Sequence, residues 1–154
     1  MYHSARNLYK ARVNFDELLK TATAGRELVR ALAYVVKSDT PEEKAFFEAL
    51  EKAGYELKSK DLQIFPGGMK KGDWDVGLTV DAISLSKQLD VVVIVSGDGD
   101  YEPLVKYLQF SGLIVEVVAF RRSTSTRLFE AANNFTDLDE SDKVLMKIPR
   151  RKTS

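Results

Sequence analysis

The segment Asp90-Val91-Val92-Val93-Ile94-Val95 constrains this chain of 154 residues more than any other. It is a continuous apolar run of mostly β-branched residues. A strand with one wet face would alternate apolar and polar positions. A continuous run is the pattern of a strand covered on both faces, as in a parallel sheet. Residues 113–120 (Leu-Ile-Val-Glu-Val-Val-Ala-Phe) read as a second buried strand. Parallel strands need crossover connections, and helical patterns do stand between the strand-like ones. The fold class is therefore α/β, in three layers, with helices on both faces of a parallel central sheet.

The remaining elements follow from local chemistry. Residues 14–23 read as a short helix anchored by Leu18 and Leu19. Residues 27–36 read as a strand, with Tyr34, Val35 and Val36 tipping an ambiguous period toward β. Thr40, Pro41 and Glu43 occupy the N-cap, N1 and N3 positions of a capping box, and Phe46, Phe47, Leu50 and Ala53 make the apolar stripe that follows. Gly54 closes that helix. Residues 55–65 read as extended, 74–88 and 102–110 as helices, and 124–133 as a last helix. The acidic-then-basic tail from Asp137 is expected to be loosely ordered, which gives one domain over 1–138 and a charged tail over 139–154.

Composition narrows the chemistry. There is no cysteine, and His3 is the single histidine, so disulfides, thiolate zinc sites and multi-histidine cages are excluded. A metal would need oxygen ligands. Lys plus Arg equals Asp plus Glu at 23 each, so any grip on nucleic acid must come from a local patch. No apolar run reaches the roughly 20 residues that span a bilayer. The N-terminus lacks the layout of a signal peptide. A cytoplasmic protein without membrane partners is the expectation.

In open parallel sheets ligands bind beyond the carboxyl ends of the strands. The strand 90–95 runs out into Ser96-Gly97-Asp98-Gly99-Asp100-Tyr101. Two carboxylates one residue apart repel unless a cation sits between them, and Mg²⁺ or Mn²⁺ would suit. The glycines are expected to supply unusual backbone angles. The alternative is a surface turn whose aspartates bond backbone amides. An EF-hand does not fit, because Pro103 and Gln109 stand where its Gly and Glu belong. Asp73 and Asp75 precede or open the 74–88 helix, where N-capping alone would explain them. Asp81 lies among Val80, Ala82 and Ile83, and needs a partner or a metal. It is about 120° around the helix from Asp75, so the two need not share an ion. Lys70-Lys71 and Arg121-Arg122 are local basic pairs, and Ser96 and Ser123 flank the strand ends. Hydroxyls and amides opening the 124–133 helix suit phosphate, or simply cap it. Trp74 and Tyr101 are suited either to base stacking or to packing.

These residues resemble a known family. Lys71-Gly72-Asp73-Trp74-Asp75-Val76-Gly77-Leu78 to Asp81-Ala82 is similar to the KGVDVxLxxDA segment of LabA-like NYN proteins. Val95 to Tyr101 is similar to their VSGDSDF segment, and Leu128 to Leu138 to their closing SxxLxxxADxFxxL segment. The resemblance implies a PIN-like (Rossmann-like) fold and, in many members, a metal-dependent ribonuclease. It matches Asp75, Asp98 and Asp100 to the family's acidic centre and Asp81 to a further acidic position. Asn133 or Asn134 stands where the family has Asp. The family opens on a strand ending in an acidic motif, and this sequence starts inside the segment that follows, at Tyr2 to Tyr9. The expectation is that this central strand and its aspartate are absent, leaving neighbouring edges open.

The function expected is phosphodiester hydrolysis by a metal-dependent RNA endonuclease. Asp98, Asp75 and Asp100 would hold Mg²⁺ or Mn²⁺, with Asp81 as a further candidate ligand. Lys70, Lys71, Ser96, Arg121, Arg122 and Ser123 would hold RNA, single-stranded or structured, with a homodimer left open. The alternative is a non-catalytic RNA- or protein-binding module on the same scaffold. A HAD-type phosphatase fits less well, because Tyr101-Glu102 follows the D-x-D where that family usually continues with Thr or Val.

Overall fold

The structure, a computed structural model, describes residues 11–61, 63–64, 66, 70–71, 74–140 and 144–147. Its elements in chain order are β1 (Ala11–Val13), α1 (Phe15–Thr23), β2 (Leu32–Lys37), α2 (Glu43–Ala53), β3 (Glu56–Asp61), β4 (Gln63–Ile64) and β5 (Lys70–Lys71). There follow α3 (Asp75–Leu85), β6 (Val91–Ile94), α4 (Glu102–Phe110), β7 (Ile114–Ala119), α5 (Thr126–Ala131), β8 (Asn134–Asp137) and β9 (Leu145–Lys147).

β6, β7 and β8 form one parallel ladder, with Val91 opposite Ile114 and Val117 opposite Phe135. β2 and β3 form a second parallel pair, with Leu32 opposite Glu56. Alternate residues of β6 and its neighbour β7 face opposite sides, as a strand covered twice requires. Val92, Ile94, Val115 and Val117 pack with Leu78 and Ala82 of α3 and with Leu104, Val105 and Leu108 of α4. Val93 and Val118 pack on the other side with Phe15, Leu18 and Ala22 of α1. Phe15 also meets Phe46 of α2 edge-on at 5.7 Å. Helices therefore lie on both faces.

The Glu56 amide donates to the Ala31 carbonyl, so Leu32, Tyr34 and Val36 turn their backbone groups away from β3. The Ile114 amide donates to the Asp90 carbonyl, so Val91 and Val93 turn theirs away from β7. Neither outer edge has a strand partner among the described residues.

Several expectations need correction. The strand expected over 27–36 starts at Leu32; Arg30 before it instead makes a paired, exposed contact with Glu56 at 2.9 Å. The capping box does not form. α2 begins at Glu43, whose carboxylate accepts from the Ser38 amide at 2.9 Å, and the N-cap position falls on Glu42. A turn holding Asp39 at φ 57° takes up the residues between. Gly54 at φ 108° closes α2 as expected. The tail is not loose through Glu140 or over 144–147. β8 extends the sheet, Leu138 and Val144 are fully buried, and β9 pairs antiparallel with β1. Residues 148–154 and the 2–9 segment lie outside the described residues.

Candidate metal centre

α3 opens at Asp75, directly after Trp74, whose side chain anchors the start of the helix. The Trp74 indole N–H donates to the Val35 carbonyl at 2.8 Å, its ring lies 5.4 Å from that of Tyr34, and the Lys60 ammonium stands over it. A Cβ on Gly77 would meet the Trp74 ring at 2.5 Å, so only glycine lets that ring lie against the helix. Trp74 therefore packs, and it ties the start of α3 to the carboxyl ends of β2 and β3.

β6 delivers Ser96 to Asp100 at the same edge. The Ser96 hydroxyl accepts from the Asp98 amide at 3.1 Å, and Asp98 Oδ1 accepts from the Asp100 amide at 2.9 Å. Asp98 thus caps the single 3₁₀ turn Gly99–Tyr101. The turn chemistry offered as the alternative is present, and it aims the carboxylates. Neither Gly97 nor Gly99 adopts a positive φ, so the expected reason for these glycines is wrong. They permit close approach: a Cβ on Gly97 would lie 2.9 Å from the Ser123 carbonyl oxygen, and one on Gly99 would lie 2.7 Å from the Ser125 hydroxyl. The Ser125 amide donates to the Gly97 carbonyl at 3.0 Å, locking the turn against the loop after β7.

One carboxylate oxygen from each of Asp75, Asp98 and Asp100 lies within 4.8 Å of the others. Asp98 and Asp100 are exposed and Asp75 is half-buried. Two ligands on opposite sides of a six-coordinate Mg²⁺ stand about 4.2 Å apart, twice the usual bond length, so the spacing fits a shared small cation. The donors are all oxygen, which suits Mg²⁺ or Mn²⁺. Tyr101 was not foreseen as part of this centre. It is buried at 5% exposure, so it cannot stack on a base, and its hydroxyl donates to Asp75 Oδ1 at 2.9 Å.

Asp81 does not join the cluster. It accepts from Lys58 at 2.7 Å and from the Tyr34 hydroxyl at 2.8 Å, and these bonds, Lys58's first, hold its carboxyl below the ordinary value. The same bond and burial, burial foremost, push the Tyr34 hydroxyl up. Asp81 and Asp75 are both half-buried. Asn133 and Asn134, one of which stands where the family resemblance puts Asp, sit at the opposite end of the sheet: Asn133 accepts from the Val115 amide and from Gln109, and Asn134 donates to Glu116.

Beside the cluster a cleft of about 290 Å³ opens between the ends of β6 and β7, lined by Val95, Ser96, Gly97, Asp98, Phe120 and Ser123 among others. Ser123 is exposed there, and Arg122, next to it in the chain, is exposed as well. Arg121 lays its guanidinium over the Phe129 ring at 4.1 Å. α5 is a helix of six residues whose N-cap, Ser125, donates its amide to the Gly97 carbonyl. Lys70 and Lys71 form β5 against β4. Arg127, exposed and 3.7 Å from Glu102, is a basic neighbour of the turn that local spacing did not single out.

A parallel sheet between helical layers, with three aspartates converging beyond its carboxyl ends, defines a PIN-like domain. The NYN domain model matches residues 1–139, and the chain belongs to the NYN domain family, within the PIN-like nuclease superfamily. It is similar to the low amplitude and bright protein LabA of Synechococcus elongatus, at 26% identity over 130 residues, covering 80% of this chain and 70% of that one. It is also similar to a protein of unknown function from Vibrio parahaemolyticus whose crystal structure superposes with a TM-score of 0.85, at 36% identity over 94% of this chain and 89% of that one. No helix among the described residues is long and apolar enough to cross a membrane.

Proposed function

We propose that this chain is a metal-dependent RNA endonuclease that hydrolyses a phosphodiester with water. The convergence of Asp75, Asp98 and Asp100 within 4.8 Å, in a domain of a nuclease superfamily, is the observation that carries the reading. The three carboxylates hold the ion, Mg²⁺ or Mn²⁺. When bound, such an ion supplies positive charge to a phosphate oxygen and lowers the pKa of a water. Asp98 is held by its own turn and Asp75 by Tyr101, so both are oriented before any ion arrives. The exposed Arg122, together with Ser96 and Ser123 of the adjoining cleft, offers charge and hydroxyls to the RNA backbone; Arg121, Lys70 and Lys71 complete the basic set.

Incubation of the full chain with end-labelled single-stranded and hairpin RNAs tests this. Cleavage that requires Mn²⁺ or Mg²⁺, stops in excess chelator and disappears in Asp98→Asn is the expected result. RNA bound but left intact under all conditions would replace the nuclease with the binding module.

A further inference from the structure

Resting on the reading above, we infer that Arg127 is a substrate-binding residue of the same centre, whose guanidinium takes an RNA phosphate beside the Asp98–Asp100 turn. Its place is fixed by the chain around it. The Ser125 amide ties the start of α5 to the Gly97 carbonyl at 3.0 Å, and Leu128, next to Arg127, is fully buried. The backbone that carries Arg127 is thus held against the acidic turn. Its Nη2 lies 3.6 Å from the position that a Cβ on Gly99 would take, and Gly99 is the residue between the two aspartates. Its Nε stands 3.7 Å from Glu102, too far for a hydrogen bond, and the other oxygen of Glu102 pairs with Lys106 at 2.8 Å.

Other basic side chains are taken up within the fold. Arg26 pairs with Glu116 at 2.6 Å, Arg30 with Glu56 at 2.9 Å and Lys58 with Asp81 at 2.7 Å. The Arg127 side chain is 72% exposed, and its guanidinium makes no hydrogen bond among the described residues. The charge of the centre calls for such a group. Three carboxylates carry three negative charges, a bound divalent ion cancels two, and an RNA phosphate brings one more. The phosphate therefore approaches a centre that is still negative, and a cation beside the metal offsets the repulsion. A guanidinium suits this task, because its planar fork meets two phosphate oxygens at once and its charge does not titrate away.

The test uses the full chain carrying Asp98→Asn, which is expected to leave RNA intact, with Arg127→Ala, Arg127→Lys or Lys106→Ala added. Anisotropy of a labelled single-stranded RNA, in Mn²⁺ and across a salt series, reads the dissociation constant. Arg127→Ala should raise it about tenfold, as loss of a hydrogen bond to a charged group does. It should also make the logarithmic salt dependence shallower by about 0.7, the share of one single-strand phosphate contact. Arg127→Lys keeps the charge and should restore the slope but only part of the affinity. Lys106→Ala removes an equal charge from the same Glu102 and should change little. Equal losses in Arg127→Ala and Lys106→Ala, or none in either, overturn the inference. With Asp98 intact, Arg127→Ala should raise KM for RNA cleavage about tenfold while Mn²⁺ binding, read by calorimetry, persists. An unchanged KM overturns the inference and leaves the nuclease reading standing. Wild type that binds no Mn²⁺ overturns the metal reading and this one with it.

Discussion

At Gly97 the site rests on the absence of one methyl group. A Cβ there would meet the Ser123 carbonyl and the Thr124 Cα, at 2.9 Å and 3.0 Å, and both are backbone atoms that move only with the whole loop. At Gly99 the obstacle is the Ser125 side chain, which can rotate. Gly97→Ala should therefore cost roughly 1–3 kcal/mol, as overpacking of a close contact does, and Gly99→Ala less. Urea denaturation of both variants checks the order; equal stability of Gly97→Ala and wild type would contradict the close-approach account. Asp98→Asn behaves differently. Removing a charge from three clustered carboxylates relieves repulsion, so metal-free stability should hold or rise. The stabilisation that Mn²⁺ gives wild type should shrink, because binding to the native state alone is what produces it. Thermal melts with and without Mn²⁺ decide this, and an undiminished Mn²⁺ shift would remove Asp98 from the ligand set. Asp98 and Asp100 were legible because D-x-D after a buried strand is a local pattern, whereas Asp75 entered through the family resemblance. Tyr101's hydroxyl bond was not, because its acceptor lies 26 positions away.

At the scale of elements, α3 is held at its start and its middle by polar bonds to the β2–β3 pair. Trp74 fixes its start, and Asp81 ties its middle to Tyr34 and Lys58. Because the Asp81 carboxyl is depressed, first by the Lys58 bond and then by the Tyr34 bond, its contribution is present above its ordinary value of 3.8. That contribution is lost as pH falls through the depressed value. Asp81→Asn should thus be less stable than wild type at neutral pH, with the gap closing as the pH falls below the ordinary carboxylate range. A gap that stays constant down to acid pH would show that the carboxylate charge is not what ties α3 down. The helices with strong apolar periodicity were legible in the sequence, as was the β6 run. The capping box over Thr40–Glu43 failed because the Ser38 amide took the Glu43 carboxylate, a competition between local acceptors that spacing cannot rank. β8 went unseen because Asn134-Phe135-Thr136-Asp137 is short and polar, and it is a strand only because β7 offers it an edge.

The molecule as a whole is two parallel units, β2–β3 and β6–β8, bridged by helices and not by a common ladder among the described residues. The amides of Leu32, Tyr34, Val36, Val91 and Val93 face edges that have no strand partner among the described residues. Hydrogen exchange should find them far less protected than those of Val115 and Val117 in the doubly flanked β7. Uniform protection across both groups would mean that the edges are covered. The carboxyl ends of both units meet where Trp74 and Asp75 link β2 to the turn after β6, and that junction is where the acidic centre forms. The most direct measurement is anomalous diffraction from crystals of the full chain grown with Mn²⁺. The account predicts one strong peak bonded to oxygens of Asp75, Asp98 and Asp100, absent in Asp98→Asn. A peak at Asp81 instead, or none beside the three aspartates, would contradict it.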